Sequence, residues 1–437
     1  MADGAGGHDL HEGRLSDRRR SARPADIPDR WEAYGASLGP AGHAVKPEEW
    51  WISLNALMVY VAATAGLALA ASGTEAGMLI YSNRSHYAQD PDPPVDEYPK
   101  ISVIIPAYRE GAHVMDSVDS AIGMDYPGGK LEVILALEGD DEITMRSLGK
   151  LANCTDAPCE RGGIPVRAVI NSSGSKSKPA ALSEAAEAAE GDVICVLDAD
   201  DVLDAGAAKA AVHVLAGNVA AVQLARDTRN PRERGSLTLA QHGELEVNNN
   251  YLIPAMKRLS GFVPILGSGY FVSRRALREV GMWNPRAPAE DLDLAMRLYE
   301  RGYRVEFLSS PRVHTLAVTS LRRLLRQRER WTRGTLLLMP RAIRILGRTW
   351  PIVLSYMISP MAWMLADAWP VIWFLSPGTQ ALIAGATIAS LALYALKIKM
   401  QGGTASAPLV SIVYALAAWL ALGRLLIEPR SWTGTRA

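Results

Sequence analysis

The sequence is poor in cysteine and has no excess of charge of either sign. Its 437 residues include three cysteines, Cys154, Cys159 and Cys195, without the histidine spacing of a zinc site. We therefore expect neither a disulfide framework nor a zinc signature, and we expect the soluble part to be reduced and cytoplasmic. The 46 basic residues equal the 46 acidic ones, so the overall charge does not favour nucleic acid as a partner.

Several common sequence signals are also absent. The chain has no internal repeat and no G-x-G-x-x-G motif, so a nicotinamide site has no support. Residues 1–45 lack the apolar core and the cleavage site of a signal peptide. They are rich in Gly, Ala, Asp and Arg without an apolar period, which predicts a disordered N-terminal tail.

Long apolar runs flank the middle of the chain. Trp50 to Ser72 is long enough to cross a hydrocarbon core of roughly 30 Å, and we predict an N-terminal transmembrane helix within 46–82. A polar, proline-rich linker follows at 83–98. A C-terminal transmembrane region is predicted at 350–430, before a tail at 431–437. Its candidate spans are Trp350 to Leu375, Gln380 to Leu396 and Pro408 to Leu426.

Basic residues next to these runs indicate an orientation. Arginines between 341 and 348, together with Lys397 and Lys399, favour the cytoplasmic side for the central domain. Arg424, Arg430 and Arg436 conflict with a simple count. We therefore predict an integral membrane protein with a cytoplasmic domain and three to four spans in all.

Short apolar runs alternate with helical segments over residues 99–317. The predicted strands are Ile101 to Ile105, Leu131 to Leu137, Val166 to Ile170 and Val193 to Leu197. A helix is predicted from Lys178 to Glu190, with Pro179 in its first turn and Gly191 at its end. This alternation predicts a doubly wound α/β domain with buried parallel strands, which binds its ligand at the carboxyl ends of the strands.

Asp198-Ala199-Asp200 follows the last of these strands. Because side chains alternate along an extended backbone, Asp198 and Asp200 point to the same side. Two carboxylates at a strand end suit a hard divalent cation, Mg²⁺ or Mn²⁺, with a diphosphate on its other face. An acidic turn is the alternative, because Asp is common in turns, but the position after a buried strand favours the metal site.

Glu290 and Asp291 begin a predicted amphipathic helix that runs to Arg301. A carboxylate in such a position can act as a general base that takes a proton from a hydroxyl group. The structural alternative is that acidic residues are simply preferred in the first turn of a helix. The residues alone leave both readings of Asp291 open.

The pentapeptide from Gln327 to Trp331, Gln-Arg-Glu-Arg-Trp, brings an amide, an indole and two guanidinium groups together within five residues. Arg330 can pair with a phosphate group, Trp331 offers an aromatic plane to a sugar or a nucleotide, and Gln327 can hydrogen-bond hydroxyls or phosphate. The surrounding helix, Ser320 to Leu338, mixes leucine with arginine. We predict an amphipathic helix in the membrane interface over 318–349. The alternative is a basic amphipathic helix that takes no part in catalysis.

These motifs resemble those of family 2 glycosyltransferases of the membrane-embedded, cellulose-synthase and hyaluronan-synthase-like kind, over roughly residues 98 to 340. The resemblance implies a nucleotide-sugar-binding, GT-A-like domain with flanking transmembrane and interfacial helices. Arg109 stands where the family more often has Asn, and Ala289 stands where it usually has Thr. Three further segments that resemble the family's are Ile101 to Glu110, Ala136 to Asp141 and Ser175 to Leu182.

The resemblance also implies roles for single residues. Tyr108 and Glu110 would flank the base, Glu138 or Asp140 would approach it, and Lys178 would contact phosphate or nucleoside. An ordinary loop aromatic, a carboxylate at a helix start and solvated lysines are the alternatives. Glu290 would position the base Asp291. The remaining implied contacts, to the donor diphosphate or the acceptor, are Gly267, Ser268, Gly269, Gln327, Arg330 and Trp331; His314 is interpreted as structural.

Motifs and resemblance together predict a membrane-embedded, metal-dependent, inverting glycosyltransferase. The expected donor is a nucleotide sugar, in particular a UDP-sugar, and the expected acceptor is a polysaccharide or a lipid-linked glycan at the lipid bilayer. A polyprenyl-phosphate sugar transferase that uses GDP-mannose is one alternative. An inactive, nucleotide-sugar-binding regulatory membrane protein is another, which the joint presence of Asp198, Asp200, Asp291, Arg330 and Trp331 disfavours. The sequence leaves the sugar, the linkage and the oligomeric state open.

Overall fold

The computed structural model describes residues 77–78, 97–233, 235–349 and 352–353, and the single or paired positions 377, 413, 416–417, 420–421 and 423–424. The predicted tail at 1–45 lies outside these residues, as does nearly all of the predicted helix at 46–82, the linker and the spans between 350 and 430. Across the described positions, no helix is both long and apolar enough to cross a bilayer.

One mixed sheet of nine strands forms the centre of the described domain, in the order β3-β4-β2-β1-β5-β8-β7-β9-β6. The strands are β1 (Ile101–Ala107), β2 (Leu131–Leu137), β3 (Cys159–Arg161), β4 (Ile164–Ile170), β5 (Val193–Val196), β6 (Val202–Leu203), β7 (Val219–Thr228), β8 (Tyr270–Ser273) and β9 (Arg304–Thr315). The four predicted strands are therefore confirmed as β1, β2, β4 and β5. These four pair in parallel, so their carboxyl ends share one edge of the sheet.

The complete sheet is mixed, although the four predicted strands are parallel to one another. β8 runs antiparallel to both of its neighbours, β5 and β7, and β3 and β6 run antiparallel to β4 and β9. β7 and β9 are parallel to each other. The apolar runs of a sequence show where a strand is buried, but strand direction depends on how distant segments pair.

Helices cover both faces of the sheet, as a doubly wound domain requires. They are α1 (His113–Ile122), α2 (Glu142–Leu148), α3 (Lys178–Ala188), α4 (Ala207–Val214), α5 (Ser236–Val247), α6 (Ile253–Ser260), α7 (Arg274–Glu279), α8 (Glu290–Glu300) and α9 (Leu321–Leu346). Successive strand residues enter opposite cores, because side chains alternate along a strand. Ile104 and Ile194 pack with α3, α6, α7, α8 and α9, whereas Val103 and Cys195 pack with α1, α2 and α4.

The helix α9 lies within the range 318–349 predicted for it. Its mixed leucine and arginine pattern was traced to Leu338, and the helix continues through Pro340 to Leu346. The extension follows from packing, since Leu338, Ala342 and Leu346 are buried in the same core as α8. Tertiary contacts of this kind outweigh the helix-breaking tendency of a proline.

Two of the three cysteines form a disulfide, which corrects both the expectation that none would form and the expectation that this part of the chain is reduced. Cys154 and Cys159 are five residues apart, and their Cα atoms lie 5.6 Å apart where the chain enters β3. Cys195 is a free, buried thiol, and burial raises its pKa. The short spacing of these cysteines did not indicate that they pair, because the pairing depends on how the loop before β3 folds back.

A buried polar network fastens the end of α3 to the sheet. Gly191 N–H donates to Ser102 Oγ at 2.8 Å, Glu190 N–H donates to Glu132 Oε1 at 2.7 Å, and Ser102 Oγ donates to Glu132. A Cβ built at Gly191 would lie 2.6 Å from the backbone nitrogen of Ser102. Only glycine fits this approach without moving the β1 backbone.

We expect Gly191→Ala to lower the free energy of unfolding by about 1–3 kcal/mol, because an added methyl group overpacks the site. Gly128→Ala is the matched control, since a Cβ there meets nothing within 4 Å. Thermal unfolding of the two variants measures the difference. Equal midpoints would contradict the role given to this close approach.

Candidate active site

A cavity of about 1860 Å³ opens at the carboxyl ends of β1, β2 and β5. Most of the predicted site residues line it, although they come from segments far apart in the chain. The lining includes Tyr108, Glu110, Glu138, Lys178, Asp198, Asp200, Gly267, Glu290, Asp291, Gln327, Arg330 and Trp331. Asp140, Ser268 and Gly269 do not line it.

The turn after β1 is held by a residue that sequence reasoning missed. The buried Asp141 accepts a hydrogen bond from the backbone N–H of Arg109, and it caps α2 by accepting from Thr144 N–H at 3.2 Å. Glu110 N–H donates to Thr144 Oγ1 at 2.8 Å. Arg109 has a φ of 58°, a left-handed conformation that Asn tolerates better than Arg does. Asp141 therefore orders the segment that presents Tyr108 and Glu110 to the cavity.

The two acidic candidates after β2 have different surroundings. Glu138 is buried, lines the cavity and accepts a hydrogen bond from Asn171 Nδ2 at 2.9 Å. Asp140 is exposed and forms an ion pair with Lys176. Of the two, Glu138 is the one placed to face a ligand.

Lys178 joins the central acidic segments at the start of α3. Its Nζ donates to Asp198 Oδ1 at 2.5 Å and to the carbonyl oxygen of Gly267 at 2.8 Å, and it lies 3.9 Å from Glu290 Oε1. Burial alone would lower the pKa of Lys178, but the nearby carboxylates of Asp198, Glu290 and Asp291 outweigh it and raise that pKa. The lysine is therefore positively charged at neutral pH.

The basic groups near the Asp-x-Asp segment do not fully balance the negative charge of its carboxylates. The pKa of Asp200 is raised to about 6 by burial and by the charges of Asp198 and Glu110. The pKa of Glu110 is raised as well, by burial and by Asp198 and Asp141. Mutually repelling carboxylate oxygens in one cavity fit a hard divalent cation, and Asp198 and Asp200 are the residues that would hold it.

Ser268 and Gly269 support the site from behind its wall. Ser268 is fully buried, and its Oγ accepts a hydrogen bond from Asp198 N–H at 2.9 Å. Gly269 has a φ of +65°, and a Cβ there would lie 2.3 Å from Val313 Cγ1. Of the predicted Gly-Ser-Gly segment, only Gly267 reaches the cavity; the other two shape the backbone beneath Asp198.

Asp291 lies in the first turn of α8, beside Lys178. A Cβ built at Gly267 would be 3.1 Å from Asp291 Oδ2, which shows how closely this carboxylate approaches the Gly267 turn. Asp291 Oδ1 accepts a hydrogen bond from Leu292 N–H at 2.8 Å. Burial and the adjacent Glu290 charge raise the pKa of Asp291 to about 7. A carboxylate with this pKa is suited to accept a proton near neutral pH.

The helix α9 closes the opposite side of the cavity with Gln327, Arg330 and Trp331. It packs closely on the turn before Glu290, since a Cβ at Gly334 would lie 3.0 Å from the carbonyl oxygen of Pro288. Sequence reasoning missed Gly334, because a glycine within a helix gives no sign of which segment approaches it.

Ion pairs also fasten α9 to α8. Arg341 Nη1 donates to Asp293 Oδ1 at 2.6 Å, and Arg341 also pairs with Glu300. The buried Asp293 is shared with Arg297, whose Nε donates to Asp293 Oδ2 at 2.7 Å. The pentapeptide and the Glu-Asp pair are therefore held in one unit.

Arg226, at the end of β7, is a cation of the cavity that no motif indicated. It donates to the carbonyl oxygen of Leu266 at 3.2 Å and to Thr315 Oγ1 at 3.3 Å, and it lies 3.9 Å from Asp201 Oδ2. Burial raises the pKa of Asp201 to about 7, while Arg226 opposes that shift. Arg226 thus links the segment after β5, the loop before β8 and the end of β9 around the Asp-x-Asp segment.

Another group of candidate metal ligands lies beside the cavity. Ligand atoms of Asp227, His242 and Glu246 lie within 4.8 Å of one another. Arg312 Nη1 donates to Glu246 Oε1 at 2.5 Å and lies 3.5 Å from Asp227, so a guanidinium already balances these carboxylates. His314, interpreted as structural, pairs with Asp204 at 2.8 Å.

The fold is similar to that of a mannosyltransferase from Pyrobaculum calidifontis, solved in complex with GDP-Man and Mn²⁺. The TM-score is 0.58 at 20% sequence identity, over 84% of this chain and 100% of that chain. This likeness shows a GT-A-like α/β fold, the class of fold that the sequence predicted.

Residues 193–422 match the model of glycosyl transferase family group 2, and residues 102–281 match the model of glycosyl transferase family 2. The chain belongs to glycosyl transferase family group 2.

Two relatives illustrate the range of the similarity. A beta-monoglucosyldiacylglycerol synthase from Trichormus variabilis is 28% identical over 267 residues, which are 60% of this chain and 54% of that protein. A poly-beta-1,6-N-acetyl-D-glucosamine synthase from Staphylococcus aureus is 26% identical over 250 residues, 56% of each. The chain spans about half the length of the curated relatives it matches.

We expect turnover to rise with pH and to level off above about 7, because the raised pKa of Asp291 leaves its carboxyl protonated in more acidic solution. Mn²⁺ should be saturating at every pH. A cation bound at Asp200 would keep that carboxylate ionised, so that its own titration does not add to the transition assigned to Asp291. The measurement is kcat between about pH 5 and about pH 9, a range that extends to both sides of this transition. A profile that stays flat across pH 7 would contradict Asp291 as the base.

Proposed function

We propose that the chain transfers a sugar from a nucleotide sugar, in particular a UDP-sugar, to a polysaccharide or glycolipid acceptor, with inversion at the anomeric carbon. One observation carries this proposal. A single ammonium group, that of Lys178, contacts the Asp-x-Asp segment and lies beside the Glu-Asp pair, in the cavity that Arg330 and Trp331 also line. Donor, base and acceptor residues thus face one space.

The chemistry follows from these positions. Asp291 would accept the proton of the acceptor hydroxyl as that oxygen attacks the anomeric carbon, and the bond from that carbon to the diphosphate oxygen would break. Lys178 and Arg330 are the cations placed to balance the charge of the departing diphosphate. A divalent cation bound at Asp198 and Asp200 would supply further neutralisation of the diphosphate.

We further propose that the reaction occurs at the cytoplasmic surface of a membrane, in the cellulose-synthase-like manner. On α9, the exposed leucine and isoleucine side chains of Leu321, Leu337 and Ile343 accompany exposed arginines, a composition that suits a membrane interface. The segments 46–82 and 350–430 would anchor the chain on either side of the domain. The names of the two relatives, one a glycolipid synthase and one a polysaccharide synthase, support these two acceptor classes.

We expect Asp291→Asn to reduce nucleoside diphosphate release by about 10²–10⁴-fold, because it removes the general base while keeping the shape of the side chain. The assay uses protein in nanodiscs, Mn²⁺ or Mg²⁺, membrane lipid and a panel of UDP- and GDP-sugars. Asp192→Asn is the matched control, an exposed aspartate that directly precedes β5. Donor binding without turnover in both the wild type and Asp291→Asn would instead support an inactive nucleotide-sugar-binding protein.

A second candidate, a polyprenyl-phosphate sugar transferase, is favoured by unpaired arginines. Arg323, Arg326 and Arg330 lie on the cavity side of α9, and within the described residues no carboxylate lies within 4.0 Å of them. By contrast, Arg328, Arg333 and Arg341 on the same helix all have acidic partners. Arg330 is assigned to the donor diphosphate, which leaves Arg323 and Arg326 for a phosphate on the acceptor.

If the acceptor carries a phosphate, we expect Arg326→Gln to raise its KM by roughly tenfold or more, because a charge-assisted hydrogen bond is lost. Arg322→Gln is the control, since that exposed arginine of the same helix does not line the cavity. Polyprenyl phosphate and diacylglycerol are compared as acceptors with GDP-mannose and UDP-sugars. Use of the neutral acceptor with an unchanged KM in Arg326→Gln would reject this second candidate.

A further inference from the structure

We propose that Arg328 and Glu244 form a positioning pair that sets the plane of the Trp331 indole at the acceptor side of the cavity. The inference rests on the proposed function, because it assigns the orientation of one of its acceptor residues. Arg328 occupies an interior position of the pentapeptide, and neither it nor Glu244 was predicted to contribute to the site.

The first observation is a buried ion pair between two helices. Arg328 Nη2, on α9, lies 2.6 Å from Glu244 Oε2, on α5, and the two side chains are 4% and 8% exposed. Removing two charges from water is unfavourable unless their geometry is good, and losing one partner would leave the other uncompensated. This pair therefore fixes the guanidinium group in one place.

The second observation is the position of that guanidinium group relative to the indole. The Arg328 guanidinium carbon lies 4.2 Å from the centroid of the Trp331 ring, which is within the range of a cation–π contact. The two residues are three apart on one helix, so their side chains are neighbours on its surface. Trp331 lines the cavity and keeps 36% of its surface exposed, whereas Arg328 does not line the cavity.

A third contact makes α5 a suitable anchor for this arrangement. Gln241, one turn before Glu244 on α5, donates from Nε2 to the carbonyl oxygen of Val318 at 2.9 Å, and its Oε1 accepts from Val318 N–H at 3.0 Å. Val318 lies in the segment that leads into α9. The start of α9 and the Arg328 side chain are thus both tied to α5.

Arg328 and Trp331 therefore have different roles within the pentapeptide. Arg328 supports Trp331 from inside the protein, while Trp331 presents its exposed surface to the acceptor. A loosened indole would weaken acceptor binding and would let water compete for the donor sugar. It would leave the donor site, formed by Lys178 and Asp198 at the strand ends, unchanged.

The decisive variant is Arg328→Lys, which keeps a positive charge for Glu244 but removes the planar guanidinium group that stacks on the indole. We expect a roughly five- to tenfold higher acceptor KM, a donor KM within about twofold of wild type, and a larger fraction of donor lost to hydrolysis. Arg322→Lys is the matched control, because that exposed arginine lies on the same helix, does not line the cavity and does not contact Trp331. It should leave both the acceptor KM and the donor KM unchanged.

A double-mutant cycle with Trp331→Leu completes the test. If Arg328 acts through the indole, Arg328→Lys should add little to the acceptor KM in the Trp331→Leu background. Full additivity, or an equal rise in donor and acceptor KM, would overturn the positioning role. The same double-mutant cycle can be measured by thermal unfolding, which does not require turnover. We expect the effects of the two substitutions on the unfolding midpoint to be coupled. Absence of donor turnover in the wild type would refute the proposed function, whereas additive changes in the unfolding midpoint would refute the pairing of Arg328 with Trp331.

Discussion

The interaction on which the site depends most is that between the ammonium group of Lys178 and the surrounding carboxylates. It bonds to Asp198 and to the carbonyl oxygen of Gly267, and it lies near Glu290. Without this cation, acidic groups from β5 and α8 would repel one another inside a partly desolvated cavity. The lysine thereby lets the carboxylates of the Asp-x-Asp and Glu-Asp segments share one space while Asp291 retains a pKa near neutrality.

The second constraint is the attachment of α9, which supplies the opposite wall. This helix is held by Arg341 on α8, by the close approach of Gly334 to the turn before Glu290, and by Arg328 on α5. These contacts connect it to elements on either side of the cavity. Since chemical groups from distant parts of a chain act together only if they are held rigidly, this attachment converts separate motifs into one site.

Much of the parallel half of the sheet could be predicted, because buried strands are short apolar runs with polar residues directly after them. The antiparallel strand β8 and the disulfide between Cys154 and Cys159 could not be, since both depend on which segments meet after the chain folds. The same reason explains why Asp141 and Arg226 were missed. An aspartate before a helix and an arginine at a strand end are common, and nothing local marks them as neighbours of the site.

By itself, the sequence determined the residue types of the candidate chemistry, their order along the chain, and the α/β class, because periodicity and motif spacing are local properties. Only the tertiary structure decided which candidates face the cavity. It placed Glu138 there and put Ser268 behind Asp198, whereas Asp140 is absent from the cavity wall and pairs with Lys176. These outcomes depend on burial and on distances between segments far apart in the chain, which are set when the whole domain packs.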